Sequence, residues 1–254
     1  MPRIGWKDLE LHSWILAAAT LALSTLVLGN SIAQATEEAD VALVMAVDVS
    51  SSVDDARFAL QREGIAEGLK SQAVLDAVAG GSSRRIELAI IEWSEQQEVL
   101  LDWKIISGPA DLDEVAQALR TKIRPRVGWK TDIGGGIAKA LSLFDTAPLA
   151  AARKIIDVSG DGAQNDGQLS ADQERDAAIG RGVTLNGLPI TSGDEPDVDR
   201  WYKAHVVGGE GAFMIVANGH GSFADAIRQK LTLEIAGRAP PYHLASSART
   251  EAAP

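Results

Sequence analysis

The chain has 254 residues, 46% hydrophobic and 23% charged, with 9 prolines. That is the make-up of a folded globule able to bury one full-sized core, and it excludes a disordered polymer. Its 35 acidic against 24 basic side chains leave a net charge of -11, which repels a phosphate backbone and argues against a nucleic-acid partner. With no cysteine, a disulfide framework, a thiolate metal site and a cysteine nucleophile are all excluded.

Residues 1–35 read as a signal peptide. Arg3 and Lys7 precede an apolar run from Trp14 to Leu28, and Ala33-Gln34-Ala35 presents small residues at the spacing a signal peptidase prefers. The run falls short of the roughly 18 apolar residues a spanning helix needs, and Thr20, Ser24 and Thr25 dilute it. The expectation is export to the periplasm or the medium, with no membrane span after cleavage; an uncleaved N-terminal anchor is the alternative. Residues 36–237 read as one domain and residues 238–254, rich in Pro, Ala and Ser, as a disordered tail.

Within the domain, strand and helix alternate. The apolar run Val41 to Val47 ends on Asp48, as a strand buried on both faces would. Asp54 or Asp55 caps a helix expected to run to about Val78, closed by Gly80-Gly81. Arg85 to Trp93 is a second strand, and Gln96 to Ile106 follows too closely for a crossover, so it pairs antiparallel at an edge. Leu112, Val115, Leu119 and Ile123 recur at helical spacing until Pro125 stops the helix.

Gly128 to Gly136 reads as a glycine-rich loop before a short helix through Ile137, Leu141 and Phe144. Arg153 to Val158 is the fourth strand and runs into Ser159-Gly160-Asp161-Gly162. Helices over 170–179, 198–206 and 223–235 then separate strands over 183–190 and 212–216. This alternation predicts an α/β fold: a doubly wound, mostly parallel six-stranded sheet with one antiparallel edge strand and helices on both faces.

Three segments place oxygen ligands directly after an apolar strand or inside the glycine-rich loop: Asp48-Val49-Ser50-Ser51-Ser52, Thr131-Asp132 and Asp161-Gly162. In a doubly wound sheet, loops after neighbouring strands meet where the strand order reverses. Carboxylates and hydroxyls without His or Cys suit a hard cation, Mg²⁺ first, with Mn²⁺ or Ca²⁺ as alternatives. Taken one at a time, Ser50 and Ser52 could merely cap a helix, and Asp161-Gly162 or Thr131-Asp132 could be a plain turn or helix start.

Taken together, Asp48, Ser50 and Ser52 after the first strand, Thr131 in its loop and Asp161-Gly after the fourth strand resemble the metal ion-dependent adhesion site (MIDAS) of von Willebrand factor type A (vWA) domains, a fold of the Rossmann-like kind. The resemblance spans about Asp40 to Gly237 and extends to exported bacterial vWA-like proteins of unestablished function. It implies that Ser50, Ser52 and Thr131 touch the metal while Asp48 and Asp161 act mostly through water. A partner's Asp or Glu carboxylate would fill the open position. One departure stands out: Gly160 precedes Asp161, where many members carry Thr-Asp-Gly.

Lys122, Arg124, Arg126 and Lys130 crowd before Thr131, a basic border in an acidic protein. Arg126, Lys130 and Trp129 are the candidate rim that receives a partner; the competing reading is a solvated helix end with Trp129 packed on the core. His205, His220 and His243 have no mutual metal-ligand spacing, and Gly219-His220-Gly221 reads as a surface turn, with a site loop as the alternative.

The leading reading is a metal-dependent protein-binding module outside the cytoplasm rather than an enzyme. Its rivals are a metal-dependent hydrolase or phosphatase and a structural vWA fold with a vestigial site. Dehalogenase-type phosphatases need a second carboxylate two residues after the first, where Ser50 stands. Asp157-Val158-Ser159-Gly160-Asp161 lacks the outer glycines of a nucleophile elbow.

Overall fold

The computed structural model describes residues 37–193 and 195–238. The expected signal peptide over 1–35, with His12, and the expected tail beyond residue 238, with His243, lie outside the described residues. Among the described residues, no helix is long and apolar enough to cross a membrane.

The sheet is organised around β1 (Ala42–Asp48), in which every residue is buried. It is paired in parallel on both sides, with β2 (Ile86–Trp93) and β4 (Lys154–Gly160). A central strand of this kind has no solvent face, so its sequence is continuously apolar up to the terminal aspartate. β3 (Gln97–Ile106) is antiparallel to β2 and alternates in burial, as an edge strand does. β5 (Val183–Thr191) and the two-residue β6 (Ala217–Asn218) complete the order β3-β2-β1-β4-β5-β6. A separate parallel pair joins Glu38–Ala39 to Ala150–Ala151.

Two apolar layers follow from the pleat of β1. Leu43, Met45 and Val47 face α1 (Asp55–Lys70), α2 (Gln72–Ala79), α3 (Pro109–Thr121) and α7 (Phe223–Ala236). Ala42, Val44 and Ala46 face α4 (Ile133–Leu143), α5 (Ala171–Gly180) and α6 (Val198–His205). The expected doubly wound, mostly parallel six-stranded sheet with one antiparallel edge and helices on both faces is therefore present. Its strand order reverses at β1: the chain leaves toward β2 and β3, then returns to β4 on the opposite flank.

Four local expectations need correction. The helix expected to run from Asp54 to Val78 is two helices, because Ser71 is extended; its hydroxyl donates to Gly68 O at 2.7 Å and its oxygen receives the Val74 amide at 3.4 Å, ending α1 and starting α2. The third helix stops at Thr121, short of Ile123, which is 91% exposed. Arg62 ends it by donating to Leu119 O and Lys122 O at 2.9 and 2.6 Å, satisfying carbonyls that a helix end leaves open.

Glycines 134 to 136 are the first turn of α4 rather than loop, capped by Asp132, which accepts from the Gly135 amide at 2.9 Å. They are small because the turn is pressed from outside: a Cβ on Gly134 would lie 2.1 Å from Leu169 O. The strand expected over 212–216 is a single bridge at Met214, and the regular pairing with β5 comes later, at Ala217–Asn218. Gly209 and Gly211 hold positive φ before it, and the Phe213 amide goes to the Asn186 side chain at 2.9 Å, so no ladder forms there.

Candidate metal centre

Asp48 closes β1 and Asp161 follows β4, its neighbour across the reversal of strand order. The Ser50 amide folds back to donate to Asp48 Oδ1 at 2.7 Å, which turns the loop after β1 over the strand end. Ser50 Oγ and Ser52 Oγ lie 3.1 Å apart, and Ser52 Oγ donates to Asp161 Oδ1 at 2.5 Å, bridging 109 residues of chain. The Ser51 amide donates to Trp129 O at 2.9 Å, which draws the 122–132 segment against the serines.

Thr131 is held from behind. Its amide donates to Asn165 Oδ1 at 2.9 Å and its carbonyl accepts the Asn165 amide at 3.0 Å. Its hydroxyl lies 3.9 Å from where a Cβ on Gly162 would sit, so it faces the residue after Asp161. Asp48, Ser50, Thr131 and Asp161 are buried and Ser52 is exposed. The five residues singled out from sequence thus line one end of the sheet.

The electrostatics of that end are unfinished. Asp48 Oδ2 is buried and makes no hydrogen bond. Burial, and then the charge of Asp161, push the Asp48 carboxyl up to about 7, against the opposing pull of its Ser50 hydrogen bonds. The Tyr202 hydroxyl from α6 is also buried without a partner, and burial together with the charges of Asp48, Asp161 and Asp157 raises its pKa.

A Cβ on Gly160 would lie 2.5 Å from this hydroxyl and 2.8 Å from Asp48 Oδ2. The tyrosine occupies the room a threonine side chain would need, a physical reason for the departure at position 160.

Two basic side chains flank Asp161 that sequence reasoning did not assign. Arg57 Nη1 lies 4.0 Å from Asp161 Oδ2 and donates to Ser52 O at 2.6 Å. His220 Nε2 lies 3.6 Å from the same carboxylate oxygen, with its side chain only 8% exposed. Burial lowers the pKa of this imidazole, opposed by Asp161. The Gly219-His220-Gly221 turn therefore faces the site, the less favoured of its two sequence readings. The one signal pointing to it was its position directly after a strand end; Tyr202 carried none.

Among the described residues, no group of three or more His, Cys, Asp or Glu side chains is placed to hold a metal. A cation here would depend on the Ser and Thr hydroxyls as much as on the carboxylates. The donor set fits one: two neighbouring buried carboxylates, one with an oxygen that has no partner, beside three hydroxyls and without a lysine among them. Moving a carboxylate out of water without pairing costs several kcal/mol, and a divalent ion would supply what is missing.

Residues 38–239 match a family described as "Protein of unknown function (DUF1194)". The chain belongs to that family. No curated protein matches it. Among solved structures, the DUF1194 chain is similar to a von Willebrand factor type A protein from Catenulispora acidiphila, at 18% identity and a TM-score of 0.54 over 78% of this chain and 43% of that one.

It is also similar to proximal thread matrix protein 1 of the mussel byssus, described with a zinc-occupied MIDAS motif. There the identity is 17% and the TM-score 0.53, over 78% of this chain and 46% of that one. A third is the vWF domain of the pilus tip protein Mfa5 from Porphyromonas gingivalis, at 14% identity and a TM-score of 0.53 over 78% and 96%. The chain spans less than half the length of the first two. The fold of this DUF1194 protein is that of a vWA domain.

The expected basic border divides in two. Arg124 donates to Val49 O and Val53 O at 3.0 and 2.5 Å and pairs with Asp55 at 3.0 Å, and Lys122 donates to Leu100 O. These two hold the loops together. Arg126 and Lys130 stay exposed, Lys130 at 3.6 Å from Asp166. Trp129 is 74% exposed, so it is not packed on the core. His205 is paired with Asp172 at 2.9 Å and stacked on Trp201 with ring centroids 4.8 Å apart, away from the five.

Proposed function

We propose that this protein is a metal-dependent protein-binding module of the cell envelope, exported to the periplasm or the medium, that works by capture rather than by catalysis. A divalent cation is held by Ser50, Ser52 and Thr131, with Asp48 and Asp161 acting mostly through its waters. On these oxygen donors alone the first choice is Mg²⁺, with Mn²⁺ or Ca²⁺ as alternatives. The open coordination position takes an Asp or Glu carboxylate of a partner protein, steered by Arg126 and Lys130 and contacted by Trp129.

The observation that carries this reading is the buried, unpartnered Asp48 Oδ2 beside a hydroxyl network that reaches Asp161. Support of a coarser kind comes from the vWA fold, shared with a pilus tip protein and with a matrix protein whose MIDAS is occupied.

The second reading is a vestigial metal site. It is favoured by Arg57 and His220, which stand near Asp161 and could offset its charge without a metal. Calorimetric titration of Mg²⁺ and Mn²⁺ into the chelator-treated full chain separates the two. Saturable binding to the wild type, lost in Asp48→Ala, is expected. A flat titration of well-folded wild type defeats the metal-dependent reading. Turnover of model phosphate or ester substrates would establish a hydrolase instead.

A further inference from the structure

His220 sits in a single 3-10 turn (His220–Ser222) between β6 and α7. The turn is anchored by Phe223, which is fully buried at the start of α7. Its ring is carried inward, and Nε2 is buried with no hydrogen-bond partner. A buried polar atom left unsatisfied costs about 1–3 kcal/mol, so a purely structural histidine in this position would be expected to hold a backbone or side-chain partner. His205 shows the ordinary case: its Nδ1 meets both oxygens of Asp172, at 2.9 and 3.0 Å.

The orphan nitrogen faces Asp161 Oδ2 at 3.6 Å, too far for a good hydrogen bond. Two atoms each about 2.1 Å from one ion stand at most about 4.2 Å apart, so a cation bound at Nε2 can also take Asp161 Oδ2 directly, where the Mg²⁺ of the reading above would meet Asp161 mostly through water. Arg57 is farther from that oxygen, at 4.0 Å, and its Nη1 is committed to Ser52 O at 2.6 Å. Two orphaned buried atoms, Asp48 Oδ2 and His220 Nε2, therefore belong to the same end of the sheet.

We infer that His220 is a nitrogen ligand of the cation at this site, and that the site takes a borderline cation of the Zn²⁺ class more tightly than the hard Mg²⁺. The inference rests on the metal-dependent reading above. Imidazole favours Zn²⁺ over Mg²⁺, whereas carboxylate, hydroxyl and water alone suit Mg²⁺. A nitrogen donor arriving from the turn before α7 changes the preference without changing any of the five oxygen-bearing residues.

The test is calorimetric titration of Zn²⁺ and of Mg²⁺ into the chelator-treated full chain, for wild type, His220→Gln and Asp48→Ala. His220→Gln should weaken Zn²⁺ at least about 10-fold while leaving Mg²⁺ within about 3-fold. Asp48→Ala should weaken both. Pulsed electron paramagnetic resonance of the Mn²⁺-loaded wild type should show coupling to an imidazole nitrogen, a readout that does not depend on any variant folding.

Unchanged Zn²⁺ affinity in a folded His220→Gln, or absence of nitrogen coupling, overturns the inference. If Asp48→Ala still abolishes binding in that case, the metal-dependent reading survives. No binding of any of these ions to the wild type defeats both.

Discussion

β4 and its following turn contribute one carboxylate to each of two buried pairs, Asp157 with Glu234 of α7 and Asp161 with Asp48 of β1, and the pairs are treated in opposite ways. Asp157, inside the strand, meets Lys230 Nζ at 2.5 Å, and the same ammonium holds Glu234 Oε1 at 2.6 Å. Glu234 also accepts from Asn186 Nδ2 at 2.8 Å. One ammonium serves two carboxylates, and burial, then the Asp157 charge, push Glu234 up to about 7.

That group carries its own ammonium and ties α7 to the sheet, although Asp157 Oδ2 and Glu234 Oε2 are buried there without a hydrogen-bond partner. Asp161 and Asp48, at the strand ends, have no lysine between them, and one oxygen of Asp48 has no partner at all. Buried charge completed by the chain itself is architecture, whereas buried charge left incomplete where loops converge is a reception site.

The largest effect should come from opening the lysine-bearing pair. Lys230→Met leaves Asp157 and Glu234 without their cation and should cost about 3–5 kcal/mol, read as a fall in the urea midpoint. An unchanged midpoint would break the comparison. Asp48→Asn keeps an oxygen for the Ser50 amide and removes the uncompensated charge. Metal-free stability should hold or rise while divalent-cation affinity, measured by calorimetry, falls about 10- to 100-fold.

The pH dependence sharpens the contrast further. A carboxyl whose folded pKa is raised contributes stability that is fully present below its unfolded pKa and is lost as pH rises through the folded one. With Glu234 raised from 4.5 to about 7, the metal-free protein should lose stability as pH climbs through that interval. Glu234→Gln should reduce the trend in thermal melts, leaving the share that Asp48, also raised to about 7, contributes over the same interval; an unchanged slope would assign the trend to other groups.

The smallest effect is expected at the exposed rim. Reversing Arg126 and Lys130 to glutamate should change stability by less than about 0.5 kcal/mol. On the proposed function it should also slow association with a carboxylate-bearing partner and weaken its salt dependence, read by surface binding kinetics at two ionic strengths.

Much of the fold was legible because its causes are local. β1 is buried on both faces and must be continuously apolar, and α4 and α7 carry their apolar residues at helical spacing. The antiparallel edge was legible from the shortness of Ser94-Glu95-Gln96. What went astray was decided by contacts from afar. Arg62 on α1 ends α3 before Ile123, and the backbone at Leu169 presses on Gly134 of α4; the Asn186 side chain takes the amide that a strand over 212–216 would have used.

The same division runs through the site. Asp48, Ser50, Ser52, Thr131 and Asp161 could be picked out because each follows a strand or opens a helix, where the chain itself dictates that polar groups face an open end. Arg57 and Tyr202 could not, and His220 only as the less favoured reading of its turn, because α1, α6 and the turn before α7 reach that end only when two layers of helices close over the sheet. A linear sequence determines which residues can serve as ligands; which of their atoms are left buried and unpartnered is decided only by packing, since burial is a property of the assembled neighbours.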